Sequence, residues 1–133
     1  MQERTKQISF GAWKSSGGDF NGWITFDGVT ELRGGGIHAS SGIYTVPEDG
    51  IYIFGLRARS GSKLVLTRIN FYKNDAVNRT VVTEGNKEDT WNNLGTAWMS
   101  TLEKGDKIYL NVDEDGTVGQ YLGWYGVRIF ATN

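Results

Sequence analysis

A chain of 133 residues with 14 basic and 15 acidic side chains, a formal net charge of −1 and no cysteine is sized for one domain. It carries no disulfide, thiol nucleophile or thiolate metal site. The balanced, scattered charge directs no field at phosphate backbones, which argues against nucleic acid as a partner. No apolar run approaches the roughly 18 residues of a membrane span, so membrane insertion is not expected, and Met-Gln-Glu-Arg-Thr-Lys-Gln at the start is too polar for a signal peptide. That leaves a cytosolic protein or the mature part of an exported one.

Nineteen glycines, a single proline at Pro47, five tryptophans, six tyrosines and six phenylalanines make a turn-rich, β-leaning mixture. Ile8 to Trp13 reads as a strand ending at a Ser15–Asp19 turn, and Gly22 to Leu32 as a second strand closing at Gly34-Gly35-Gly36. Gly42 to Val46 runs into the turn Pro47-Glu48-Asp49-Gly50, and a strand from Ile51 to Arg59 follows. Leu64 to Lys73 turns at Asn74-Asp75. Arg79 to Thr83, Gly95 to Leu102, Lys107 to Val112 and Tyr121 to Ala131 complete the series. Strands at this spacing, with no linker, internal repeat or 3.6-residue period, predict one all-β sandwich domain filling residues 1–133.

Alternation adds a second expectation. In Lys107 to Val112 only Ile108, Leu110 and Val112 share an apolar face, as in a strand with solvent on its other side. Ile51 and Ile53, however, point opposite to Tyr52, Phe54 and Leu56. Tyr125, Val127 and Ile129 likewise point opposite to Leu122, Trp124 and Phe130. A two-layer sandwich buries one face of each sheet, so strands apolar on both faces predict an oligomer.

Three stretches carry a family resemblance. They are Gly42-Ile-Tyr-Thr-Val-Pro-Glu-Asp-Gly-Ile-Tyr-Ile-Phe54, Leu102-Glu-Lys-Gly-Asp-Lys-Ile-Tyr-Leu110 and Tyr125-Gly-Val-Arg-Ile-Phe130, with weaker support from Ile24–Val29 and Phe71–Asn74. In this order, over nearly the whole chain, they resemble the globular head of the complement C1q family, within the C1q and tumour-necrosis-factor superfamily. The resemblance implies a ten-stranded jelly roll, a homotrimer or heterotrimer and a secreted, lectin-like or innate-immunity role, often on a stalk. It implies that Tyr52 and Phe54 are core residues and that Ile51, Ile53 and Gly55 face a neighbouring subunit. Arg128 departs from the family's closing strand by placing a charge near its end, and no Gly-X-Y segment is present.

Candidate sites are few. His38 is the only histidine and reads as a strand-edge or loop residue, so no catalytic centre is expected. Asn111, Asp113 and Asp115 precede Gly116 at the i, i+2, i+4 spacing of a calcium loop, but the twelfth position is Leu122 instead of a bidentate acid, and an acidic hairpin with an Asp-Gly turn is the simpler reading of the run. Calcium is therefore the one cofactor for which the sequence offers a candidate site. Trp91, Asn92 and Asn93 combine a flat ring with amides, the chemistry of sugar binding, against the alternative that Trp91 packs over a loop or into a subunit seam. Trp13, Trp23, Trp98 and Trp124 read as core or interface. Arg57, Arg59, Lys63 and Arg68 form the densest basic group, able to receive an anion or to be a solvated face.

The leading expectation is an extracellular homotrimeric recognition domain that binds glycans or microbial surface patterns with avidity. Its alternatives are a trimerisation cap or protein-receptor ligand without a small-molecule site, and a phage or bacterial surface tip.

Overall fold

A computed structural model describes residues 7–20, 22–60, 67–83, 93–113 and 118–132. Its strands are β1 (Ser9–Phe20), β2 (Gly22–Trp23), β3 (Gly28–Arg33), β4 (Ile37–His38), β5 (Ile43–Thr45), β6 (Gly50–Ser60), β7 (Thr67–Lys73), β8 (Ala76–Thr83), β9 (Asn93–Leu102), β10 (Lys107–Val112) and β11 (Val118–Phe130). One sheet runs β3-β1-β11-β6-β9 and the other β4-β5-β10-β7-β8, with β2 also paired to β10. Neighbours distant in sequence, such as β1 with β11 and β5 with β10, close the two antiparallel sheets into a jelly roll.

The inward faces are filled as alternation requires. Tyr52, Phe54 and Leu56 from β6, Leu122 and Trp124 from β11, and Ile108, Leu110 and Val112 from β10 are each 1% exposed or less. Aromatic contacts cross the gap between the sheets: Phe10 lies 4.2 Å from Tyr44, and Phe71 lies 5.0 Å from Phe54 and 4.9 Å from Trp98, centroid to centroid. Tyr44 and Tyr52 belong to this core, where burial pushes both phenols above the ordinary tyrosine range. The Tyr52 hydroxyl donates to the Glu48 carbonyl at 2.8 Å, which ties the Pro47 turn to the core.

Two segments depart from the sequence reading. Gly22 to Leu32 is broken into β2 and β3, in opposite sheets. Between them the chain crosses the sandwich, with Ile24 N–H donating to Leu110 O at 3.0 Å and Phe26 N–H to Ala39 O at 2.8 Å. Ile24 and Phe26 both enter the core, so alternate apolar residues mimic a strand where the backbone is passing between sheets. Ser15 to Asp19, read as a turn, instead lies within β1, where the register against β11 shifts between Ser15 and Asp19. Glycine and serine accommodate a bulge there without reversing the chain.

Phe130, expected on the inward face of its strand, is 63% exposed, because the register against β6 shifts between Arg128 and Phe130. Arg128 itself spends its charge locally, its Nη1 donating to the Asp49 carbonyl at 3.0 Å.

Gly42 fixes the crossing geometrically. Its φ of 74° lies in the left-handed region, its N–H donates to His38 O at 2.8 Å, and a Cβ there would overlap the Ile24 carbonyl. Backbone strain and a backbone clash combine, so Gly42→Ala should destabilise the domain by about 3 kcal/mol or more. A denaturant melt of purified protein measures this as a lowered midpoint with an unchanged slope.

Candidate functional site

Each sheet also has an outward face, and the two differ in chemistry. On the five-stranded sheet, pairing sets Ser9, Val127, Ile53 and Met99 in one row across the strands, and Gly11, Tyr125, Gly55 and Ala97 in the next. Met99 is 63% exposed, Tyr125 43% and Val127 37%. Ile51 and Ile53 are half-buried on this face. Gly55 is also on it, but the Tyr125 ring lies directly over its Cα, where a Cβ would collide with the ring. At that row Tyr125 therefore presents the surface. A shallow hollow of about 430 Å³ lies among Gln7, Ser9, Glu31, Ile53, Tyr125 and Val127.

The six-stranded sheet presents an aromatic cleft. Tyr72 on β7 and Tyr109 on β10 are direct cross-strand partners, and their rings stack at 5.3 Å with planes 8° apart. Trp23 leans on both from β2, at 5.1 Å from Tyr72 and 5.4 Å from Tyr109, with planes inclined by 62° and 59°. The cleft they line holds about 500 Å³ and is completed by Ile24, Ser41, Ile43, Asp75 and Leu110. Trp23, read from sequence as core or interface, is 60% exposed. Trp98 and Trp124 are core residues, and Trp13 is half-buried.

Asp75 reaches the cleft through a tight turn. Asn74 and Asp75 have φ of 49° and 70°, the two left-handed residues of a type I′ hairpin joining β7 to β8. Asn74 clamps that turn to the neighbouring strand: its N–H donates to Lys107 O at 2.9 Å, and its Oδ1 accepts from Lys107 N–H at 2.8 Å. The Asp75 carboxylate is thereby held where Tyr109 O–H donates to it. Burial and the Asp75 hydrogen bond and charge push the Tyr109 phenol up to about 12.

Beside the cleft, a polar row occupies the same face. Thr80 Oγ1 donates to Asn70 Oδ1 at 2.9 Å, and Asn70 Nδ2 donates to Asp113 Oδ1 at 2.7 Å. Arg68 Nη1 approaches the other Asp113 oxygen at 3.8 Å. This bears on calcium, because one Asp113 oxygen accepts from an amide and the other faces a guanidinium, a positive charge beside the place a cation would take. The described part of the Asn111, Asp113, Asp115 set fits an ion poorly. Among the described residues no group of three or more His, Cys, Asp or Glu could hold a metal. Asp115 lies outside the described residues, as do Trp91, Asn92, Lys63 and the side chains of Asn93 and Arg59.

Arg57 and Arg68 are exposed on the outward faces of opposite sheets, so these two do not form one basic patch. His38 is exposed on the short strand β4. Sequence reasoning passed over Trp23, Tyr72, Asp75 and Tyr109. The available signal was Tyr109 on the polar side of an otherwise cleanly alternating strand.

Strand order, a filled inter-sheet core and a second apolar face together define a C1q/TNF-like jelly roll. The C1q domain matches residues 10–125 of the sequence, and the chain belongs to the C1q domain family. Among solved structures it is similar to the globular domain of zebrafish complement 1qA protein, at 18% identity and a TM-score of 0.76, covering 94% of this chain and 99% of that one. It is also similar to murine APRIL, at 15% identity and a TM-score of 0.65, covering 93% of this chain and all of that one (100%). No curated protein sequence matches it.

The raised Tyr109 phenol yields a pH prediction. Because its folded value lies above the ordinary 10.0, the stabilisation it contributes is complete below pH 10 and disappears as pH rises towards 12. Asp75→Asn preserves a residue tolerant of the left-handed turn while removing the charge. An ultraviolet titration of tyrosinate should show one phenol ionising at lower pH in that variant than in the wild type.

Proposed function

We propose that this domain is an extracellular, non-enzymatic recognition module that works as a homotrimer and binds glycans or microbial surface patterns. The observation that carries the trimer is the outward face of the five-stranded sheet, where Ile53, Met99, Tyr125 and Val127 lie in adjoining rows over a core that is already filled. Family membership supports the same arrangement, as does the likeness in fold to a C1q globular domain and to a tumour-necrosis-factor-family ligand.

The physical drive is removal of that face from water. Full burial of a large apolar side chain contributes roughly 1.5–3 kcal/mol, and these residues, already partly covered, would each add about half of that. Several acting together at a three-fold seam, with Tyr125 providing a rigid amphipathic ring, suit a stable assembly. Packing through this sheet leaves the six-stranded sheet facing outward on every subunit. Three identical outward faces on one particle provide avidity for a repetitive surface that one weak site lacks.

Light scattering on the eluting protein at micromolar concentration should return the mass of three chains. Val127→Lys places a charge in the middle of the seam and should shift the population to single chains, with the strand-rich circular dichroism spectrum retained. A wild type that elutes as one chain would overturn the trimer.

A further inference from the structure

We propose that the cleft formed by Trp23, Tyr72 and Tyr109 is a binding site for a neutral hexopyranoside, the C–H face of the sugar lying on the aromatic surface. This rests on the glycan reading above, and adds where the sugar sits and which charge class is accepted.

Ring geometry decides the shape of ligand. The three centroids stand 5.1, 5.4 and 5.3 Å apart, so each ring touches the other two. No space remains between them for a cation enclosed on several sides, as an aromatic cage requires. Tyr72 and Tyr109 turn a face towards each other, and Trp23, inclined to both, is braced on them and offers its own exposed face as the flat surface. A flat ligand with an apolar face fits that surface, and a pyranose ring has such a face on its axial C–H groups.

Trp23 is the telling residue. An indole that is 60% exposed on a monomer is ordinary when isolated, but this one is braced against two half-buried tyrosines. Its orientation is set before any ligand arrives, so little side-chain freedom is lost on binding. The tyrosines are themselves held, by mutual stacking and by the Tyr109 hydrogen bond to Asp75.

The polar groups at the rim select the charge. Among the described residues lining the cleft, Asp75 is the one that carries a charge. A carboxylate has about four acceptor positions, and Tyr109 O–H takes one of them, leaving acceptors for sugar hydroxyls. Ser41 Oγ adds a hydroxyl to the lining, where it accepts from Ile43 N–H at 3.3 Å and donates to His38 O at 3.4 Å. Both are long bonds that a ligand can supplement. Donor-rich hydroxyls complement this rim, and an acidic sugar would bring its own carboxylate against Asp75. The volume of about 500 Å³ falls within the roughly 300–1,000 Å³ of small-molecule sites. Because the cleft lies on the sheet opposite the proposed trimer seam, three copies remain open in the assembly.

The test is a glycan array probed with the intact chain, carrying neutral hexopyranosides, sialylated and uronic-acid glycans, and phosphocholine. It is followed by titration with the methyl glycoside of the strongest hit, observed by tryptophan fluorescence. Neutral hexopyranosides should bind and should protect the exposed indole from iodide quenching. Trp23→Ala should weaken the titrated affinity at least tenfold with melting temperature and particle mass unchanged, Trp23→Phe should recover part of it, and Asp75→Asn should weaken it by a few fold. If neutral glycans bind equally to wild type and Trp23→Ala, the site is elsewhere and this inference fails while the glycan reading stands. Binding confined to acidic glycans or phosphocholine overturns the charge class. An array on which the wild type binds nothing overturns the glycan reading itself.

Discussion

With no disulfide between them, the two sheets are held by aromatic side chains that meet across the gap: Phe10 on Tyr44, and Phe71 on Phe54 and Trp98. Truncating one buried aromatic ring typically costs about 3–5 kcal/mol, against a total stability of about 5–15 kcal/mol for a domain. Each ring is therefore a large share of what keeps the sandwich closed. The same packing fixes the register of every strand, since a slip by one residue would turn Tyr52, Phe54 and Trp124 out of the core.

That constraint occupies only every second residue. The intervening positions are released from the core, and the two sheets use them differently. On one, β6, β9 and β11 align Ile53, Met99, Val127 and Tyr125 as a nearly unbroken apolar surface. On the other, β7, β10 and the β2 segment gather three aromatic rings beside a ladder of Thr80, Asn70 and Asp113. The proposed seam and the proposed sugar site thus fall on opposite sides of one core.

Most of the architecture was legible in the chain. Alternation in Lys107–Val112 and around Tyr52 and Phe54 identified inward residues that the structure buries, and Asn74-Asp75 was recognisable as a turn. The failures have physical causes. Ile24 and Phe26 alternate like a strand because a chain crossing between sheets also drops side chains into the core at two-residue intervals. Ser15–Asp19 has turn chemistry, yet a bulge tolerates the same residues. The cleft was illegible because Trp23, Tyr72 and Tyr109 are far apart in sequence and meet only through pairing registers. Proximity along the chain misled for Arg57 and Arg68, which one sandwich thickness separates.

The pairing of β1 with β11 carries a mechanical consequence. Ser9 sits opposite Val127, and Arg128 N–H donates to Ile8 O at 2.9 Å, so the first and last described strands start and finish side by side at one pole of the domain. Tension applied through both ends would load these hydrogen bonds one pair at a time, as a zipper, and not all together in shear. The domain should accordingly yield at low force when pulled by its two ends, and should tolerate a short peptide joining them, with new ends opened elsewhere.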